Sequence, residues 1–195
     1  MTTETHAHPA APVAPSQVLG AAGILGGSVL LAAFVFEVPA GFNDLRIVIY
    51  LLGAIAVVVA VHRRQVSASP ALARAVALAA VVANASVLLR EVLPYGPWHP
   101  FAGDNGLVLF YAWIAMWLTD AAFGIVTLRL GVVTRWGALA LAVGSVLAIL
   151  GMDRLGLTSG ADPTIFGSLA MAGIGLNGVG WILLGLDVAT RGRAR

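Results

Sequence analysis

Cysteine is absent from this chain of 195 residues, and so is lysine. The first absence excludes disulfides, thiolate nucleophiles, cysteine-ligated metals and iron–sulfur clusters. The second removes Schiff-base chemistry, and with it a retinal chromophore or a lysine-dependent enzyme. Charge of either sign is scarce. Only 10% of the residues are charged, against about 25% in a soluble domain. All eleven basic residues are arginine, and no basic stripe with interleaved aromatics exists, so nucleic acid is not an expected partner.

Cofactor chemistry is equally thin, and no cofactor or metal is expected. No His/Glu helix motif for zinc is present, and no glycine-rich phosphate loop precedes a helix. "GAAGILGG" lies inside the first apolar stretch, where close helix packing accounts for it. His62 and His99 fall at opposite ends of the expected bundle, so they cannot ligate one haem iron. The "HAH" pair near the N-terminus has no third or fourth ligand beside it.

What the chain does have is hydrophobic residues, 59% of the total, and a mean hydropathy of +0.94. A helix needs roughly 20 apolar residues to cross the hydrocarbon core. Six segments meet or approach that length: Gln17–Val38, Leu45–Val61, Leu72–Leu89, Gly106–Leu128, Trp136–Met152 and Thr164–Val188. The second, third and fifth are short and have to stand nearly upright or rely on flanking residues. Turn-forming stretches separate them, among them "SASP", "RLGVVTR" and "LTSGADP". The expected fold is an all-α integral membrane bundle of six transmembrane helices over residues 17–190. Residues 1–16, rich in Pro, Ala and Thr, read as a disordered cytoplasmic tail, and 191–195 as a basic one. No basic stretch precedes the first apolar segment, as a cleaved signal peptide requires.

Arginine placement orients the bundle, because basic residues are retained on the cytoplasmic side. With the N-terminus inside, Arg63, Arg64, Arg74, Arg129, Arg135, Arg191, Arg193 and Arg195 are cytoplasmic, and only Arg46, Arg90 and Arg154 are outside. Both termini of a multi-pass protein of the cell (inner or plasma) membrane are therefore expected in the cytoplasm. Asp187 and Arg191, four residues apart, are expected to pair at that boundary.

Polar residues inside the spans carry the functional question. Asp120 lies in "WIAMWLTDAAFGIV", apolar on both sides. Asn84, Asn177, Ser28 and Ser145 fall near the centres of four other spans, so five of six helices contribute one polar side chain at a similar depth. The second helix has Gly53 there. Helical spacing puts Asn177 on a stripe with Ala170, Gly173, Gly180 and Leu184, and Asn84 on one with Ala77 and Ala80. Small residues on those stripes let another helix approach, so the polar layer is expected to point inward. Asp120 shares its stripe with Trp113, Trp117, Gly124 and Thr127, which makes Trp113, Trp117 and Thr127 candidate pocket-lining residues.

A mid-helix Asp costs about 2.5–3.5 kcal/mol to insert, and roughly ten Leu, Ile, Val and Phe neighbours at about −0.3 to −0.6 each offset it. Asp120 is then expected either neutral and hydrogen-bonded to Asn84 or Asn177, or ionised beside water or a cation. The layer is a candidate proton, cation or ligand site, or else a hydrogen-bonded clasp that sets helix register. "EVLPYGPWHPFAGDNG" forms the longest outer loop. Its Tyr95, Trp98 and Phe101 suit an interfacial anchor; with His99 and Asp104 they are also candidates for a lid.

The expected role is that of a non-enzymatic membrane protein that binds a small hydrophobic or cationic ligand, as a homo-oligomer or as the subunit of a membrane complex. A proton- or cation-coupled carrier built around Asp120 is the alternative. A membrane enzyme would need a second titratable group near Asp120, and the sequence offers none.

Overall fold

The computed structural model describes residues 14–35, 43–92, 107–152 and 163–191. Every regular element among them is a helix: α1 (Pro15–Val35), α2 (Asn43–Gln65), α3 (Pro70–Val92), α4 (Leu107–Leu130), α5 (Arg135–Gly151) and α6 (Pro163–Arg191). Three of the six begin at a proline, whose fixed φ suits a first helical position and whose missing N–H costs nothing there. α2 ends on His62, Arg63 and Arg64, cations at the negative end of the helix dipole. Gly131, with a φ of 64°, reverses the chain between α4 and α5.

Five of the helices are long and apolar enough to cross a membrane. α2 and α3 each run to 23 residues, longer than the apolar cores in the sequence suggest. Polar and charged residues at their ends continue the helix, because helix formation does not require hydrophobicity. α5 remains short at 17 residues. At 1.5 Å per residue it extends about 25 Å, under the roughly 30 Å of a hydrocarbon core.

Helices adjacent in sequence pack side by side, and α6 returns to α1, so the six close a ring. α2 and α6 also touch across it. The outward faces carry Leu25, Leu52, Leu78, Leu118, Ile125, Val143 and Met171, all exposed. A soluble bundle buries that apolar surface; this one presents it on every helix, as contact with lipid demands. Trp136, 73% exposed, stands one residue after Arg135, where an aromatic ring suits the membrane boundary. Tyr50, Trp117, Phe123 and Trp181 are buried inside the ring, and the Phe123 and Trp181 rings stack with centroids 6.3 Å apart.

Arg63 and Arg64 at the end of α2, Arg74 early in α3, Arg129 late in α4 and Arg135 at the start of α5 fall at one end of the ring, called here the basic end. There Arg64 Nη1 donates to Asp187 Oδ2 at 3.0 Å, and Arg64 Nη2 to the Val188 carbonyl at 3.2 Å, tying α2 to α6. Asp187 therefore takes a cation from another helix; the side chain of Arg191, the partner that sequence spacing suggests, lies outside the described residues.

Close approach of α6 to both neighbours depends on glycine. A β-carbon added at Gly144 would lie 2.5 Å from the Asn177 nitrogen and 2.8 Å from the Gly173 carbonyl oxygen. At Gly20 it would lie 2.6 Å from the Gly185 carbonyl oxygen. Backbone meets backbone at both seams, as the small-residue stripes of α1 and α6 imply.

Candidate functional site

Four of the five residues of the expected midplane layer are brought inside the ring. Asp120, Asn84, Asn177 and Ser145 are all fully buried. Asn84 Nδ2 donates to Asp120 Oδ1 at 3.0 Å and to the Ala80 carbonyl at 2.9 Å, joining α3 to α4. Asn177 Nδ2 donates to Ser145 Oγ at 2.9 Å, joining α6 to α5, and the Ser145 hydroxyl donates in turn to the Leu141 carbonyl at 2.8 Å. Small residues on the Asn177 stripe permit this. Gly173 and Gly180 press on α5 directly, which leaves an amide side chain short enough to bridge the two helices.

Ser28 is the exception, and the expectation that it faces inward is corrected: it is exposed on the outer side of α1. α1 instead turns Gly20, Gly23, Gly26 and Gly27 towards α2 and α6. Ser28 follows Gly27 by one residue, about 100° around the helix, and so leaves the interface. Its place in the layer is filled from α2 by Tyr50, which is buried and donates from Oη to Asn177 Oδ1 at 3.1 Å. Gly53, the residue of α2 at that depth, packs against Gly26.

Tyr50 also brings what periodicity and composition do not reveal, a second titratable group in the buried layer, held there through Asn177. Two hydrogen-bonded chains thus meet at mid-bundle, Tyr50–Asn177–Ser145 and Asn84–Asp120. Each buried bond is strengthened by the low dielectric around it. Around these chains Asp120 Oδ2, Asn84 Oδ1, Trp117 Nε1 and Trp181 Nε1 are buried without a hydrogen-bond partner. Two accept and two donate. Among the described residues no cation forms an ion pair with Asp120.

Of the pocket candidates, Trp117 is buried and Trp113 half-buried, with ring centroids 5.9 Å apart on one face of α4. Thr127 is buried too, but its neighbour is Gln65, whose Nε2 donates to Thr127 Oγ1 at 2.7 Å. Seven residues along α4 separate Thr127 from Asp120, about 10 Å, so this bond lies nearer the basic end. Tyr95, Trp98, His99, Phe101 and Asp104 lie outside the described residues.

Tyr50, Gln65 and Trp181 are the members that the sequence alone does not single out. A signal exists for the first and third, since a tyrosine hydroxyl or an indole N–H in mid-span needs a partner as an asparagine does. Gln65 lies beyond Val61, where the apolar run ends, and only the extension of α2 brings it into the bundle.

Chemically, the layer offers one carboxyl, two amides, a phenol and two indole donors in an interior lined by aromatic rings. It can hold a proton or a small polar or cationic group. Among the described residues no group of three or more metal-ligating side chains is present. Comparison with known proteins finds no match to this chain, whether among family models, curated proteins or solved structures.

Proposed function

We propose that this chain is a non-enzymatic, multi-pass protein of the cell membrane, with both termini cytoplasmic, that binds a small cationic ligand at Asp120. The observation that carries the reading is the carboxyl itself. It is fully buried, anchored through Oδ1 to Asn84, and has no partner for Oδ2. An acid kept inside a membrane bundle without a cation beside it is a functional device more often than a structural one. Trp117 stands one turn before it on α4, and an indole face adds attraction for a cation. Orientation is supported by the basic end, which the arginine rule assigns to the cytoplasm.

The test is thermal unfolding of the purified protein in detergent with ethylammonium and tetramethylammonium chloride, against sodium chloride at equal ionic strength. Stabilisation by either organic cation is expected for the wild type and is lost in Asp120→Asn, which keeps the shape and the bond to Asn84. No stabilisation in the wild type, or equal stabilisation of both proteins, would overturn the reading.

A second reading, a proton- or cation-coupled carrier, is favoured by the Gln65–Thr127 pair, which extends polar groups from Asp120 towards the basic end. In liposomes with an entrapped pH dye, the carrier reading expects proton movement in the wild type and none in Asp120→Asn. Equal traces from the two would sink it.

A further inference from the structure

Away from the midplane, α2 and α3 part at the basic end to leave a groove of about 340 Å³ lined by Val58, Val59, His62, Arg74, Ala77, Leu78 and Val81. The polar and apolar liners are sorted by depth. His62 lies three residues from the end of α2 and Arg74 four from the start of α3, so both stand about 5–6 Å inside the helix ends. All other liners are apolar and lie deeper. From Arg74 to Val81 the wall runs about 10 Å towards the midplane. Arg74 stands exposed at one end, and the wall of the groove is hydrocarbon.

Among the described residues, nothing neutralises the charge at the rim. Arg74 is exposed and has no hydrogen-bond or ion-pair partner among the described residues. His62 Nδ1 is buried and has no hydrogen-bond partner. No acid occurs in α2 after Asp44 or in α3 before Glu91, and Asp187 is engaged by Arg64. Leu78, 65% exposed, opens the groove sideways to the lipid. A second copy of this chain fits poorly here, since pairing groove to groove would oppose two Arg74 side chains in a medium of low dielectric.

We propose that the α2–α3 groove is a binding site for an anionic phospholipid. Its phosphate is held by Arg74, and one acyl chain lies along Val58, Ala77, Leu78 and Val81. The site stands apart from Asp120 and does not rest on the ligand reading given above.

Thermal unfolding and native mass spectrometry in detergent, with phosphatidylglycerol or phosphatidylcholine of identical chains, test it. Phosphatidylglycerol is expected to raise Tm and to be retained in preference to phosphatidylcholine. Arg74→Gln, at an exposed position, should weaken that preference about fivefold, the worth of one arginine near a membrane surface. Leu78→Trp, which fills the groove but keeps the cation, should reduce retention of both lipids. Arg129→Gln, at the same end but outside the groove, should leave the preference unchanged. Equal loss in Arg74→Gln and Arg129→Gln would reduce the effect to general surface charge and overturn the site. Three other results would also overturn it: no preference in the wild type, equal stabilisation by inorganic phosphate, or a dimer dissociated by Leu78→Trp.

Discussion

α6 and α3 occupy comparable places in the ring but are held by different means. α6 meets α5 and α1 through glycine, with Gly173 against Gly144 and Gly185 against Gly20, so main chains touch. α3 contains no glycine. It turns an alanine stripe, Ala73, Ala77, Ala80 and Ala83, towards its neighbours and adds the Asn84–Asp120 bond. Seams of backbone on backbone tolerate no added atom, because a packed interface cannot deform continuously. A seam of alanine and one amide leaves room for larger side chains beside it. Both the carboxyl without a second partner and the open groove border α3, and the groove lies away from the α5–α6 seam. The tight arc is held by main-chain contact, and the looser arc holds the buried carboxyl and the groove.

The largest effect expected from testing this comparison is at the tight seam. Gly173→Leu should cost about 3 kcal/mol or more, since the added carbons meet main chain that has nowhere to move. Ala83→Leu on α3 should cost clearly less; thermal unfolding in detergent measures both. Equal losses would erase the distinction between the arcs.

Next in size comes the bond that holds α3. Asp120→Leu should lower stability by about 1–2 kcal/mol, within the range for interhelical hydrogen bonds in membranes. Asn84→Leu should cost somewhat more, because it leaves the buried Asp120 carboxyl without its Oδ1 partner, whereas Asn84 keeps the Ala80 carbonyl as an acceptor in the Asp120 variant. Combined, the two changes should be less than additive. Strict additivity would mean that the bond contributes nothing to holding α3 in place.

The smallest expected effect is at the basic end. Gln65→Leu should cost about 0.6 kcal/mol, the average for a bond of this kind. It removes a donor to Thr127, and the Arg64–Asp187 pair next to it still ties α2 to the bundle. A loss of several kcal/mol would show that Gln65 closes this end rather than trims it.

Most of the inward layer is legible in the amino-acid sequence. Asn177 can be placed because three of its stripe partners are small, and a small stripe in a membrane helix implies a neighbour. Asn84 can be placed the same way from Ala77 and Ala80. Ser28 cannot, because α1 has glycine on several sides and its stripes do not single out one face. Tyr50 escapes notice because its ring reads as apolar, although its hydroxyl obeys the same requirement as the amides. For Asp187 the sequence cannot supply the partner from α2, since only the ring places Arg64 of a different helix beside it.

Hydrophobicity and length belong to single segments, so the sequence by itself determined that this chain forms apolar helices suited to a bilayer, and that an acid lies in the middle of one. Which helices meet is a property of the closed ring. Tyr50 and Asn177 are 127 residues apart and share a hydrogen bond only because α6 returns to pack beside α1 and α2. Periodicity assigns a residue to a face, but the packed neighbour decides whether that face looks at lipid, a glycine or a carboxyl. For that reason the tertiary structure alone moved Ser28 out of the layer, brought Tyr50 in, and opened a groove beside Arg74.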